Sequence, residues 1–183
     1  MKYKRHIINI LLLVFFLTGW DVTSLHADTL SSREYKLKAG LMYNLAKFVE
    51  YPVSSENADP GNFIIGILGE DPFGNEINVL NEKTVQERII KIERYHSIHE
   101  MKECHMLFVC VSEKLNTASV LDRIKGKSIL TISDMEGFAE IGGMINFVTV
   151  NNRICFNVNL SSAQKAGLKL SAHFLKLTTV VEQ

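Results

Sequence analysis

FIIGILG, residues 63–69, is a compact apolar run with glycine at its fourth and last positions. Its length and its β-branched content fit a strand buried on both faces, as in a parallel sheet. Two further runs read the same way: HMLFVCVS at 105–112 and SILTIS at 128–133. Between them the pattern changes. Residues 73–80 begin a helix, 84–95 contain a strand near 89–92, 96–103 are helical or looped, and 113–124 read as a helix that ends at 125–127. Strand and helix alternate, which predicts an α/β domain in three layers, with a mostly parallel sheet flanked by helices.

The flanks extend that reading. REYKLKAGLMYNLAKFVEY, residues 33–51, predicts a helix. Leu37, Leu41, Leu45 and Phe48 stand at helical spacing, with Ala39, Met42, Ala46 and Val49 widening the stripe, so most of its surface is expected to be buried. Ser31 or Ser32 can cap its start and Pro52 limits its end. Residues 53–61 form a turn-rich loop. GMINFVTV and RICFNVNL meet at Asn151-Asn152, two residues that tolerate positive φ, so an antiparallel hairpin closes the sheet. Gly167 is placed to end a helix over 160–166, and a last helix runs over 171–177.

In open α/β sheets ligands sit beyond the carboxyl ends of parallel strands. Three of those ends are acidic: Glu70-Asp71, Glu113 and Asp134. Converging carboxylates there could bind a divalent cation, but acids at these points also cap the helices that follow, and capping is the preferred reading. His96, His99, Cys104 and His105 are competent metal ligands, yet the last two open a strand and point to opposite faces. No metal or other cofactor is expected.

The cysteines are Cys104, Cys110 and Cys155. Cys104 and Cys110 lie six residues apart along one strand, about 20 Å if extended, too far for a disulfide. Pairing of either with Cys155 stays open, as does a set of three buried thiols. None of the serines stands in GxSxG, the glycines at 66, 69 and 74 have the wrong spacing for a dinucleotide loop, and no GxxxxGK[ST] occurs. No cysteine has an evident histidine with an orienting partner. The residues therefore predict a protein that is not an enzyme and acts through its surface. Glycines and a Phe in the loop 134–143 make Met135, Phe138 and Ile141 the candidate partner-binding residues.

The whole chain has 183 residues, 46% hydrophobic and 22% charged, with 20 basic and 20 acidic residues. That balance disfavours nucleic acid as a partner. The N-terminus, MKYKRH followed by IINILLLVFFL and then Leu25-His26-Ala27, has the layout of a secretory signal peptide over 1–27. Its removal takes three basic residues and one acid, leaving 17 and 19, and residues 28–183 as a single domain. An exported chain meets no pool of ATP or NAD, which sets kinase and dehydrogenase readings aside.

Three blocks of sequence resemble the YfiR-like periplasmic proteins: LKAGLMYNLAKFVEYP at 37–52, CHMLFVCVSE at 104–113, and the stretch 132–177 with Gly137-Phe138-Ala139, Gly142-Gly143 and Ala166-Gly167-Leu168. Asn157-Val158-Asn159 departs from that family's pattern, which has an acid before the Ile-Asn. The resemblance implies a periplasmic repressor. It would bind the periplasmic sensor domain of an inner-membrane diguanylate cyclase and lower cyclic-di-GMP. An outer-membrane lipoprotein would sequester it, it would form a homodimer, and its cysteines would respond to redox state. The alternative is a periplasmic small-ligand-binding module serving a sensor kinase or transporter.

Overall fold

The computed structural model describes residues 24–52 and 61–181, with side chains from residue 30 onward. The expected leader lies outside the described residues as far as residue 23, and the expected loop lies outside them over 53–60. Helix α1, Ser24–Phe48, is followed by the short strands and helices of one α/β unit. Its strands are β1 Val49–Glu50, β2 Asn62–Leu68, β3 Thr84–Val85, β4 Arg88–Tyr95, β5 Met106–Val109, β6 Leu130–Ser133, β7 Ile145–Val150, β8 Arg153–Asn159, β9 Lys169–Leu170 and β10 Thr179–Val181. The remaining helices are α2 Thr117–Arg123, α3 Leu160–Lys165 and α4 Ala172–Leu175. Two 3-10 helices, Glu76–Leu80 and Val111–Asn116, stand where α-helices were expected.

The main sheet has eight strands in the order β10-β8-β7-β6-β5-β2-β4-β3. Strands β4, β2, β5, β6 and β7 are mutually parallel. The sheet starts at its centre with β2 and then grows outward on both sides, the doubly wound order whose reversal point lies between β2 and β5. β7 and β8 pair antiparallel through Asn151 and Asn152, which hold φ of 49° and 59°, as the hairpin reading required. The predicted three-layer, mostly parallel architecture with an antiparallel hairpin is therefore the fold. Three pieces were not anticipated: β3, β10, and the two-stranded β1-β9 ribbon that ties the end of α1 to the C-terminal segment through Val49↔Leu170.

Alternation along β2 sorts its side chains into two cores. Phe63, Ile65 and Ile67 enter the larger one with Ala39, Met42, Leu45 and Ala46 of α1. Ile64 and Leu68 enter the smaller one with Val120 of α2, Ile124, Met135 and Phe138. The two clusters occupy the two faces of the sheet, which is what a period of two imposes.

Helix α1 departs from its predicted stripe at two adjacent positions. Leu37 is exposed, whereas Lys38 is 4% exposed. The buried face runs through Lys38, Ala39, Met42, Leu45, Ala46 and the following Val49, a rotation that has a specific cause at the rim of the sheet.

Candidate functional site

The carboxyl ends of the parallel strands carry the acids singled out from the sequence, and Asp71, Glu113 and Asp134 are each engaged through their carboxylates. Gly69 leaves β2 with φ of 97°, and a Cβ there would meet the Ser112 hydroxyl. The Glu70 amide donates to that hydroxyl at 2.9 Å, which closes the crevice at the reversal point between β2 and β5. Asp71 accepts from the Phe73 amide at 2.7 Å and pairs with Arg94 at 2.7 Å. Glu113 accepts from Asn116 at 3.1 Å. Asp71 and Glu113 thus serve local hydrogen bonds and an ion pair, but none of these acids is the N-cap of a helix, which corrects the capping reading.

Asp134 is the exception in kind. It follows β6, and its Oδ2 accepts from Lys38 Nζ at 2.7 Å and from the Tyr35 hydroxyl at 2.9 Å. Lys38 also reaches Glu34 at 2.7 Å, and its ammonium lies 4.3 Å from the Tyr35 ring centre. Burial, and then the Asp134 carboxylate, push the Tyr35 hydroxyl well above the ordinary tyrosine range, so it remains a donor at any physiological pH. Asp134 Oδ1 is buried without a hydrogen-bond partner. This group pins the largely exposed stretch 30–37 of α1 to the end of β6. It also explains the rotated helix face, because burying Lys38 turns Leu37 outward.

The loop 134–143 corrects the expected surface. Met135 is 3% exposed and Phe138 is fully buried; only Ile141, at 58%, faces solvent. Phe138 is the plug of the smaller core, and its ring fills the space beside Gly143, where a Cβ would lie 2.2 Å from the ring. Gly143 signalled close approach, while Gly137 and Gly142 supply positive φ for the turns of the loop. Apolar exposure appears instead on the 3-10 helix after β5, where Val111 is 52% and Leu115 96% exposed. Nothing in the spacing of these residues marked them, because an exposed Leu in a short helix looks like any core Leu.

The cysteines do not meet. Cys104 and Cys110 are buried at the two ends of β5, and Cys155 is exposed on β8. β7 and β6 stand between β8 and β5, which puts the strands about 14 Å apart, beyond disulfide reach. All three are free thiols, so of the readings left open neither pairing with Cys155 is formed, and Cys155 is exposed rather than buried. Burial, ahead of the Glu93 charge, pushes the Cys104 thiol up to about 12, and burial with nearby carboxylates raises Cys110 as well. Neither thiol is a nucleophile at neutral pH.

The histidines are also dispersed. His96 and His99 are exposed, and His105 is buried. His105 Nδ1 accepts from the Ile64 amide at 3.0 Å, its Nε2 lies 2.8 Å from Arg88, and its ring stacks on Phe63 with centres 4.9 Å apart. Both ring nitrogens serve the fold. Among the described residues no group of three His, Cys, Asp or Glu side chains could hold a metal ion.

A family model described as YfiR/HmsC-like matches residues 35–179, from Tyr35 in the pinned half of α1 to the first residue of β10. The chain belongs to that family. At family level this places it among periplasmic regulators of diguanylate cyclase signalling. No curated protein matches the chain as a relative. No described helix is long and apolar enough to cross a membrane.

Proposed function

We propose that this YfiR/HmsC-like chain is a periplasmic repressor that binds the periplasmic sensor domain of an inner-membrane diguanylate cyclase and holds the enzyme off. The observation that carries this reading is the family match over 35–179, which includes nearly all of the described sheet. The proposal extends to export by a cleaved leader over 1–27, to a homodimer, and to release by an outer-membrane lipoprotein that sequesters the repressor. It also makes the chain a binding protein rather than an enzyme, a reading supported by the buried, proton-holding thiols of Cys104 and Cys110.

Repression by binding requires tighter association with the off state than with the on state. Moving a partner from mostly on to mostly off takes about 5.5 kcal/mol of differential affinity. An interface of roughly 1,600 Å² supplies that comfortably. Val111 and Leu115 are the side chains we assign to the centre of the interface, because Leu115 is the most exposed large apolar side chain among the described residues and Val111 shares its short helix. Ile141 offers a second apolar point, while Met135 and Phe138 act from beneath by fixing its loop.

Deletion of the gene should raise cellular cyclic-di-GMP, and a plasmid copy should restore it. A plasmid copy carrying Leu115→Glu should fail to restore it while the variant protein accumulates and melts like the parent. No rise on deletion across growth conditions would overturn the repressor reading. Full restoration by Leu115→Glu would overturn the assigned surface alone.

A further inference from the structure

A cleft of about 620 Å³ opens on the side of the sheet away from the pinned rim. It exists because β6 and β7 pair late. Their register begins at Ile132↔Ile145 and Ser133↔Asn146, while β5 and β6 already pair at Leu130. The first residues of β6 therefore lack a strand neighbour on the β7 side. Thr131 uses its hydroxyl there instead, accepting from the Met144 amide at 3.0 Å. The gap lies between α2 with its following turn and the end of α3.

The walls are apolar: Leu121, Ile124, Ile141 and Met144 all line the cleft. Lys125, Lys127 and Lys165 also line it, with Asp122 as the one opposing acid, so the formal charge of the lining is +2. All three lysines are exposed, and among the described residues none of them makes an ion pair. The volume falls within the range of small-molecule sites, about 300–1,000 Å³. A neutral apolar ligand would use the walls and leave the lysines idle, and a cation would be repelled by them.

We propose that this cleft binds an amphipathic organic anion, a carboxylate or sulfonate carried on an apolar chain or ring. The apolar part fills the space between Leu121, Ile124 and Met144, and the anionic head lies among the three lysines. Ile141, exposed at the edge of its loop, closes over the chain. This goes beyond the repressor reading and does not depend on it, since the site is complete within one chain and needs no protein partner.

The test compares octanoate, 1-octanol and octylammonium, which share one chain length and differ in charge. Each is titrated into the purified chain, followed by methyl resonances of Leu121, Ile124 and Ile141. Octanoate should bind tightest, octanol more weakly and octylammonium least, and the octanoate preference should shrink at high salt. Hexanoate should bind roughly tenfold more weakly than octanoate, from the loss of two buried methylenes. The triple variant Lys125→Gln, Lys127→Gln, Lys165→Gln should lose about tenfold in octanoate affinity and nothing in octanol affinity. The single variant Lys165→Gln should show the same effect in smaller measure, should the triple variant fold poorly. Absence of binding at millimolar octanoate, equal affinity for anion and cation, or octanoate binding that leaves those methyls and the lysine variants unaffected would each overturn the site.

Discussion

The two faces of the sheet are covered by different devices. On one face, α1 lays a periodic apolar stripe over the larger core and is held in register by a polar pin, Lys38 to Asp134. On the other face, the irregular loop 134–143 is held by an apolar plug, Phe138 against Gly143. A helix carries its own backbone hydrogen bonds and needs only to be aimed. The loop is closed by turn bonds such as Gly143 N–H to Phe138 O at 2.9 Å, its Met135 and Ala139 carbonyls accept from Asn146 and Asn159, and one large side chain seats it on the core. The pin determines where the helix points, and the plug determines how closely the loop packs on the smaller core.

Breaking the plug should have the largest effect. Phe138→Ala removes a fully buried ring and is expected to cost about 4 kcal/mol in denaturant unfolding. Phe138→Leu should cost clearly less, and equal costs for the two would mean that the loop does not depend on filling that space. Breaking the pin comes next. Lys38→Met strands the buried Asp134 carboxylate and should cost about 3 kcal/mol, toward the low end for a buried pair because Glu34 is half exposed. The double variant Lys38→Met, Asp134→Leu should recover most of that loss. A double variant no better than the single would show that the ion pair itself, and not the stranded charge, carries the energy.

A finer test acts on the space rather than the plug. Gly143→Ala should cost about 2 kcal/mol, since the new methyl must displace a ring that has nowhere to go. If its stability equals the parent's, the loop yields more easily than its packing implies. The smallest effect is chemical. At pH 8 a thiol reagent should label Cys155 alone in the native protein and all three cysteines after unfolding. Because Cys104 ionises near 12 in the fold and near 9 when free, thiolate formation favours the unfolded chain only as pH rises above about 9. Below that pH the cysteine makes stability no more pH-dependent. Native labelling of more than one thiol would show that β5 opens more readily than the core around it.

The same contrast explains what could be read from the sequence. The runs 63–69, 105–112 and 128–133 announced β2, β5 and β6 because a strand buried on both faces needs continuous apolar residues. Asn151 and Asn152 announced the hairpin because few residues accept their φ values. Helix α1 was legible as a helix, but its spacing fixes only relative angles; the partner that turns Lys38 inward lies 96 residues away. β3, β9 and β10 are two or three residues long and leave no run to detect. Phe138 was misread because glycines beside an aromatic look the same whether they free a loop or make room for a ring. The cleft was invisible for a related reason, since it is made by the offset at which two strands begin to pair.

Both rims of the sheet are only partly shielded. β3 pairs with Arg88 and Ile89 at the start of β4, and β10 pairs with 157–159 at the end of β8. The rest of β4 carries Lys91, Glu93 and Arg94, charges that repel an incoming strand. The rest of β8, residues 153–156, carries Ile154 and Phe156 with the single charge of Arg153. Concentrated solutions of the protein will therefore self-associate first along β8. A solubilising lysine belongs there, at the exposed position 155 between two residues that face the core, rather than on the far edge that is already defended.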